Sequence, residues 1–213
     1  MDSIQKATKP TNVITRRDFL GSAFATTGIL AAPWPEIAAA KTQTIAPGQL
    51  QRIEAAIPTK AFARPQKKRK LLIFDLNVGY GGHGSIPTAN TAFQLMGKKT
   101  GAFETVISNN PSVFKPENLK QFDAVFFNNT VGNLFNDPAL RQSLIEFVYG
   151  GGGLLGVHGT TVAFTRWPGA HEDWPEFGIM LGARGANHMD SREHVFIKLD
   201  DPDNPVNKPF DGK

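Results

Sequence analysis

Four short apolar runs, each followed by glycine or polar residues, constrain this chain more than any other feature. Leu71-Leu72-Ile73-Phe74 is uninterrupted, as a strand reads when both its faces are buried. Residues 103–107, 123–127 and 154–157 are the other three. After the first run, Ser85 stands where it can cap a helix whose apolar positions Ile86, Ala89, Phe93 and Met96 keep helical spacing. Before the fourth, Asp137-Pro138 supplies an N-cap and a proline at N1. Leu140, Leu144, Phe147 and Val148 give that helix its apolar stripe, and glycines 150–153 end it. Strands alternating with helices predict an α/β chain: a parallel sheet, right-handed crossovers and helices on both faces. Ligands of such sheets bind beyond the carboxyl ends of the strands. That selects the loops at 77–85, 128–136 and 158–172. A further strand is expected at 195–199, and a short helix at 49–56.

The N-terminus reads as an export leader. Arg16-Arg17 precedes Phe19-Leu20 and a charge-free apolar stretch over 21–33, and Ala38-Ala39-Ala40 forms an A-x-A cleavage pattern. Paired arginines point to the twin-arginine route. The apolar stretch is too short to span a bilayer, which takes about 20 apolar residues. The expected organisation is therefore a leader over 1–40, a basic arm or linker over 41–70, and a domain over 71–213. The mature chain would start at Lys41, carry no transmembrane segment and work in the periplasm or outside the cell, its partner during export being the twin-arginine translocase.

Charge is unevenly placed. Residues 41–70 hold eight Lys/Arg and one acidic residue, whereas 71–213 hold eleven Lys/Arg and fifteen Asp/Glu. The basic character thus belongs to the leader and the arm. Lys67-Lys68-Arg69-Lys70 abuts the first strand and reads as a solvated gatekeeper of a hydrophobic segment, with no nucleic-acid partner. There is no cysteine, which removes disulfides, thiolate metal sites and cysteine nucleophiles at once.

Two of the five histidines follow strands directly in the selected loops. His158 comes after Val157 and is framed by Gly156 and Gly159. Small neighbours let a sharp turn project a side chain above the sheet, the logic of a nucleophile elbow. An imidazole there can serve as general base, hydrogen-bond donor or metal ligand. His83 lies among Gly79, Gly81, Gly82 and Gly84, where backbone can approach a ligand closely. That loop lacks the G-x-G-x-x-G or Lys-Ser/Thr pattern of a nucleotide site. Asn129 and Thr130 close the third strand. Trp174, near His171, offers either a stacking face for a sugar or a core side chain. His188 follows Asn187, and His194 reads as an ordinary edge residue.

Gly151-Gly152-Gly153-Leu154-Leu155-Gly156-Val157-His158-Gly159-Thr160-Thr161 resembles the signature of the ThuA-like family, named for trehalose utilisation, in the class I glutamine amidotransferase-like superfamily. Gly82-His83-Gly84-Ser85-Ile86, the stretch from Phe122 to Thr130, Trp174-Pro175-Glu176-Phe177-Gly178 with Leu181-Gly182-Ala183, and Asp200-Asp201-Pro202-Asp203-Asn204-Pro205-Val206 match in the same order. Asn204 stands where a histidine is more usual. The resemblance implies a flavodoxin-like three-layer sandwich with a mostly parallel sheet. It implies that His158 occupies the place of the amidotransferase cysteine, so that glutamine hydrolysis is absent. It also implies a carbohydrate ligand, such as a glycoside or its 3-keto form, and a divalent metal such as zinc held by His83, His158 and His188. His158 is then the catalytic candidate, with His83, Asn129, Thr130 and Trp174 binding substrate. Family domains run on past residue 210, so the domain is expected to be C-terminally incomplete. Two other functions fit the same residues: a non-catalytic carbohydrate-binding module, and an adaptor that docks a partner through the basic arm. Mass spectrometry of the exported protein should find an N-terminus at or near Lys41. Unchanged export after Arg16→Lys with Arg17→Lys would exclude the twin-arginine route.

Overall fold

β1 (Lys70–Phe74) lies between β2 (Glu104–Ser108) and β3 (Ala124–Asn128), and β4 (Gly153–Val157) pairs with β3. The order β2-β1-β3-β4 is parallel throughout. The computed structural model describes residues 45–166, 172–185, 190 and 192–210. The leader, its cleavage pattern, Trp167, His171, Asn187 and His188 lie outside the described residues.

Parallel register sorts the apolar runs into two faces. Leu72 pairs with Val125 and Phe74 with Phe127. These four side chains are fully buried and join Val113, Phe114, Leu119, Phe135, Leu144, Phe164 and Phe177 in the larger core. The alternate residues Leu71, Ile73 and Phe126 form a smaller cluster with Phe93 and Phe103 on the opposite face. Helix α2 (Ile86–Thr100) covers that second face through Phe93. Helices α4 (Pro138–Tyr149) and α5 (Pro175–Leu181) cover the first through Leu140, Leu144 and Phe177. The result is a three-layer, flavodoxin-like sandwich, as expected, with four strands among the described residues.

The helix punctuation is read correctly at α4, where the Asp137 carboxylate accepts from the Ala139 N–H at 2.8 Å. Ser85 occupies the N-cap of α2 but makes no side-chain cap bond. Gly101, at φ 64°, closes α2 in the left-handed conformation. The short elements at Pro111–Phe114 and at α3 (Pro116–Leu119) have no counterpart in the apolar periodicity. They bury Val113, Phe114 and Leu119 from single turns too short to show a repeat.

The arm contains helix α1 (Pro47–Ala56), close to the helix expected at 49–56. It is docked rather than free. Ile53 and Ile57 are buried at i, i+4 spacing, and the Lys99 ammonium of α2 donates to the Glu54 carbonyl. The basic run is tied down too. Lys67 and Arg69 both pair with Asp123, and the Lys70 backbone N–H donates to the same carboxylate. The expected strand at 195–199 does not form: Val195, Phe196 and Ile197 are exposed and have no ladder partner among the described residues. A strand exists through its neighbour's hydrogen bonds, so its residue pattern alone does not create it. His194, expected at a strand edge, is simply exposed.

Asp123 gives a test of the arm's attachment. Hydrogen bonding from Lys67 leads the effects that hold its carboxyl at about 2, below the usual 3.8. A depressed carboxyl stabilises the fold above its unfolded pKa, and that contribution is lost as pH falls from about 4 towards 2. Lys67 and Arg69 are 64% and 44% exposed, so screening limits the contribution to about 1 kcal/mol. Asp123→Asn should therefore lose about that much at neutral pH and flatten acid unfolding between pH 4 and 2, measured by denaturant titration.

Candidate functional site at the carboxyl edge of the sheet

β4 delivers its chain directly into the short 3-10 turn His158–Val162. His158 sits at φ 47°, in the left-handed region that few non-glycine residues occupy. Both flanking glycines sit in close quarters, Gly156 the more tightly. A Cβ on Gly156 would lie 2.7 Å from the Thr160 Cγ2 and 2.9 Å from the Leu181 Cδ1. A Cβ on Gly159 would lie 3.0 Å from both the His83 Cε1 and the Val131 Cγ2. The turn is anchored from below by Thr160, fully buried, whose hydroxyl donates to the Phe127 carbonyl at 2.8 Å. Thr130 donates to the Thr160 hydroxyl in turn, at 3.3 Å. Thr130 is also fully buried, so the structure places it under the elbow as an anchor rather than at the ligand surface.

The loop after β1 brings His83 to this elbow. Pairing continues beyond the strands through an Asn77–Val131 bridge and a 2.9 Å bond from the Val78 N–H to the Val131 carbonyl. The chain then returns to α2, and the rings of His83 and His158 meet edge to face with centroids 4.7 Å apart. Tyr80 lies on the other side of His83, at 5.1 Å. Burial, and secondarily the neighbouring His158, push the His83 pKa below its ordinary 6.5, while the Asn129 backbone carbonyl hydrogen-bonded to the ring opposes the shift. His83 Nδ1 is buried with no hydrogen-bond partner.

Asn129 is 4% exposed and also left-handed, at φ 54°. Its Oδ1 and that of Asn77 are buried without a partner. Buried polar atoms normally find partners, and an unpaired one costs about 1–3 kcal/mol. Three such atoms on two adjoining loops mark a place shaped for something outside the chain. His83, His158 and Asn129 are thus brought together. Asn77, Tyr80 and the anchor Thr160 are additions. Asn77 lies inside the loop that the sheet topology selects, but nothing in its neighbours distinguishes it from a turn asparagine.

Trp174 is placed elsewhere. Its ring packs against Phe135, Phe164 and Phe177, with the Arg141 guanidinium 5.1 Å from its centroid, and none of its ring contacts among the described residues is with an imidazole. A structural tryptophan and a stacking tryptophan look alike in sequence. Zinc takes three or four protein ligands. Among the described residues no group of three His, Cys, Asp or Glu converges, and His188 lies outside them. The described residues alone therefore do not fit a zinc ion. Surface grooves where the arm meets α2, lined by Glu54, Ile57, Leu95, Lys98 and Lys99 or by residues 58–63, hold neither imidazole. Among the described residues no helix is long and apolar enough to cross a membrane.

Thr160→Val tests the anchor under the elbow. It keeps the shape but leaves the Phe127 carbonyl and Thr130 hydroxyl without their buried partner, so a loss of about 1–3 kcal/mol is expected in chemical unfolding. A neutral effect would mean that His158 is held by the glycine frame alone.

The ThuA family profile, described as "Trehalose utilisation", matches residues 70–212. The crystal structure of a putative ThuA-like protein from Bacteroides uniformis ATCC 8492 is similar at 22% identity and a TM-score of 0.42. The match covers 58% of this chain and 46% of that one, so the chain spans about half the length of its solved relative. No curated protein matches the chain. The family match, over a segment that contains all four strands and both imidazoles, shows that the chain belongs to the ThuA (trehalose utilisation) family.

Proposed function

We propose that the protein binds a carbohydrate against the His83–His158 pair and transfers a proton at one of its hydroxyl groups. The observation that carries this reading is the buried, unpartnered Nδ1 of His83, held beside the strained His158 elbow. A neutral imidazole with an open lone pair accepts a proton from a bound hydroxyl, and a second imidazole a ring's width away can relay or return it. The elbow carries histidine where acyl transfer would need a thiol, and the chain has no cysteine, so glutamine hydrolysis is not part of the proposal. Glycosides and their 3-keto forms are the substrates to try. The protein would act after export through the twin-arginine translocase, in the periplasm or beyond. Neither zinc nor another divalent metal is needed for this proton transfer. A metal completed by His188 remains a separate proposal, read by metal analysis of the folded protein.

A second reading is a carbohydrate-binding module without turnover. Calorimetry and product analysis with methyl α-glucoside and its 3-keto form separate the two. His83→Gln and His158→Gln should each weaken binding about tenfold or more, roughly 1.4 kcal/mol, with unfolding midpoints close to the parent. Binding that survives both replacements would end the site assignment. Sugar bound tightly but recovered unchanged would establish the module. Because the His83 pKa is lowered, its lone pair is lost only below its ordinary 6.5, and binding should weaken as pH falls through that region.

A further inference from the structure

Four side chains form a continuous hydrogen-bonded line from the end of β1 to the site. The Asn90 amide of α2 donates to the Asp75 carboxylate at 2.7 Å. The Asn128 amide donates to the Asn90 oxygen at 2.8 Å and to the Ile86 carbonyl at 3.0 Å. The Asn129 amide donates to the Asn128 oxygen at 3.0 Å. Asn128 is fully buried and Asn129 nearly so.

The direction of this line is dictated by its fixed end. A carboxylate and a peptide carbonyl only accept; burial pushes the Asp75 pKa above its usual 3.8, and the Asn90 amide hydrogen-bonded to the carboxylate opposes that shift. Turning Asn90 over would set its oxygen against Asp75, and turning Asn128 over would set its oxygen against the Ile86 carbonyl. Each amide must therefore point its nitrogen back towards Asp75, and Asn129 is left with its oxygen outward. Asn77 is oriented by the same residue: its amide nitrogen faces the Asp75 backbone carbonyl at 3.3 Å, which leaves its oxygen open. His83 Nδ1 is the third unpartnered buried atom, an acceptor in the imidazole tautomer that carries its proton on Nε2.

We infer that Asp75, Asn90 and Asn128 are positioning residues that fix the site in an acceptor-only state, so that it selects a ligand face made of hydrogen-bond donors: hydroxyl groups rather than a keto oxygen. The inference rests on the carbohydrate reading for the identity of the ligand, and on the amide line alone for its polarity. A keto oxygen facing Asn129 or Asn77 would set acceptor against acceptor, so in this family member the oxidised carbon of a 3-keto sugar must lie away from them. A site built to receive a hydroxyl proton rejects an analogue that cannot give one far more strongly than a hydrophobic pocket rejects a methylene.

Two measurements on the full chain test this. In the free protein, side-chain amide NMR should show the Asn129 Nδ2 protons protected from solvent exchange. Asp75→Asn, whose new amide can both donate and accept, and Asn90→Ala, which cuts the line from a helix position that tolerates alanine, should both release them. An Asn129 amide that exchanges freely in the parent, or stays protected in both variants, would overturn the inference. In the second measurement, methyl α-glucoside is compared with its monodeoxyfluoro derivatives, whose fluorine cannot donate. The parent should prefer the hydroxyl about tenfold or more for at least one position, and both variants should bring that ratio towards one. A general structural defect would weaken both ligands equally and leave the ratio unchanged, which would overturn the positioning role. If fluoro derivatives bind the parent as well as the glucoside does, donor selection is wrong. If no sugar binds while the amide is protected in the parent and released in both variants, the carbohydrate reading fails and the polarity of the site stands.

Discussion

The ladder between β1 and β3 decides where everything else falls. Its register sets Phe74 beside Phe127, so the chain leaves both strands at one level. The Asn77–Val131 bridge carries the pairing one step past the strand ends. His83 can then return over Asn129, and Asn128 can reach Ile86 and Asn90 across the base of α2. A slip of one residue would send Phe74 or Phe127 to the opposite face and would turn Asn128 into the core without its partners. The apolar register and the polar line are thus one constraint read from two sides of the strand end.

The sheet was legible because its two central strands, β1 and β3, carry runs of consecutive buried apolar residues, and the elbow because Gly156 and Gly159 flank a single histidine. The nearness of His83 to His158 followed from topology, since parallel strands put all their outgoing loops on one side. Other assignments depend on information that one residue type does not carry. Trp174 and Thr130 had the right chemistry for a sugar, but the aromatic cluster and the Thr160 hydroxyl claim them. Asp75, Asn90 and Asn128 lie far apart in sequence and gain meaning only through one another. The strand expected at 195–199 shows the reverse case, a residue pattern without the neighbour that would make it a strand.

Strain concentrates where the chain changes direction. The three non-glycine residues at positive φ among the described residues are Asn129, His158 and Phe164. Two belong to the site, and the third is buried at 1% exposure with its N–H on the Gly132 carbonyl. Each such residue costs of order 1 kcal/mol or more. Beneath them lies a closely packed aromatic core in which ring contacts run from Phe114 to Phe127, Phe177 and Phe164. A site supported in this way is preorganised, and binding need not supply the energy to assemble it.

β4 ends the described sheet, and its outward residues are apolar: Leu155 is 42% exposed and Val157 39%. They share the face of Phe126, beyond the reach of the cover that α2 gives the other strands. An apolar edge strand offers unpaired backbone groups to any extended chain that arrives, and natural sheets usually blunt such edges with lysine or proline. None stands between Gly153 and Val157. Among the described residues that edge is unpaired, a few residues from the catalytic candidate. A lysine at position 155, pointing away from the larger core, is the economical way to blunt it while leaving the turn at His158 as it is.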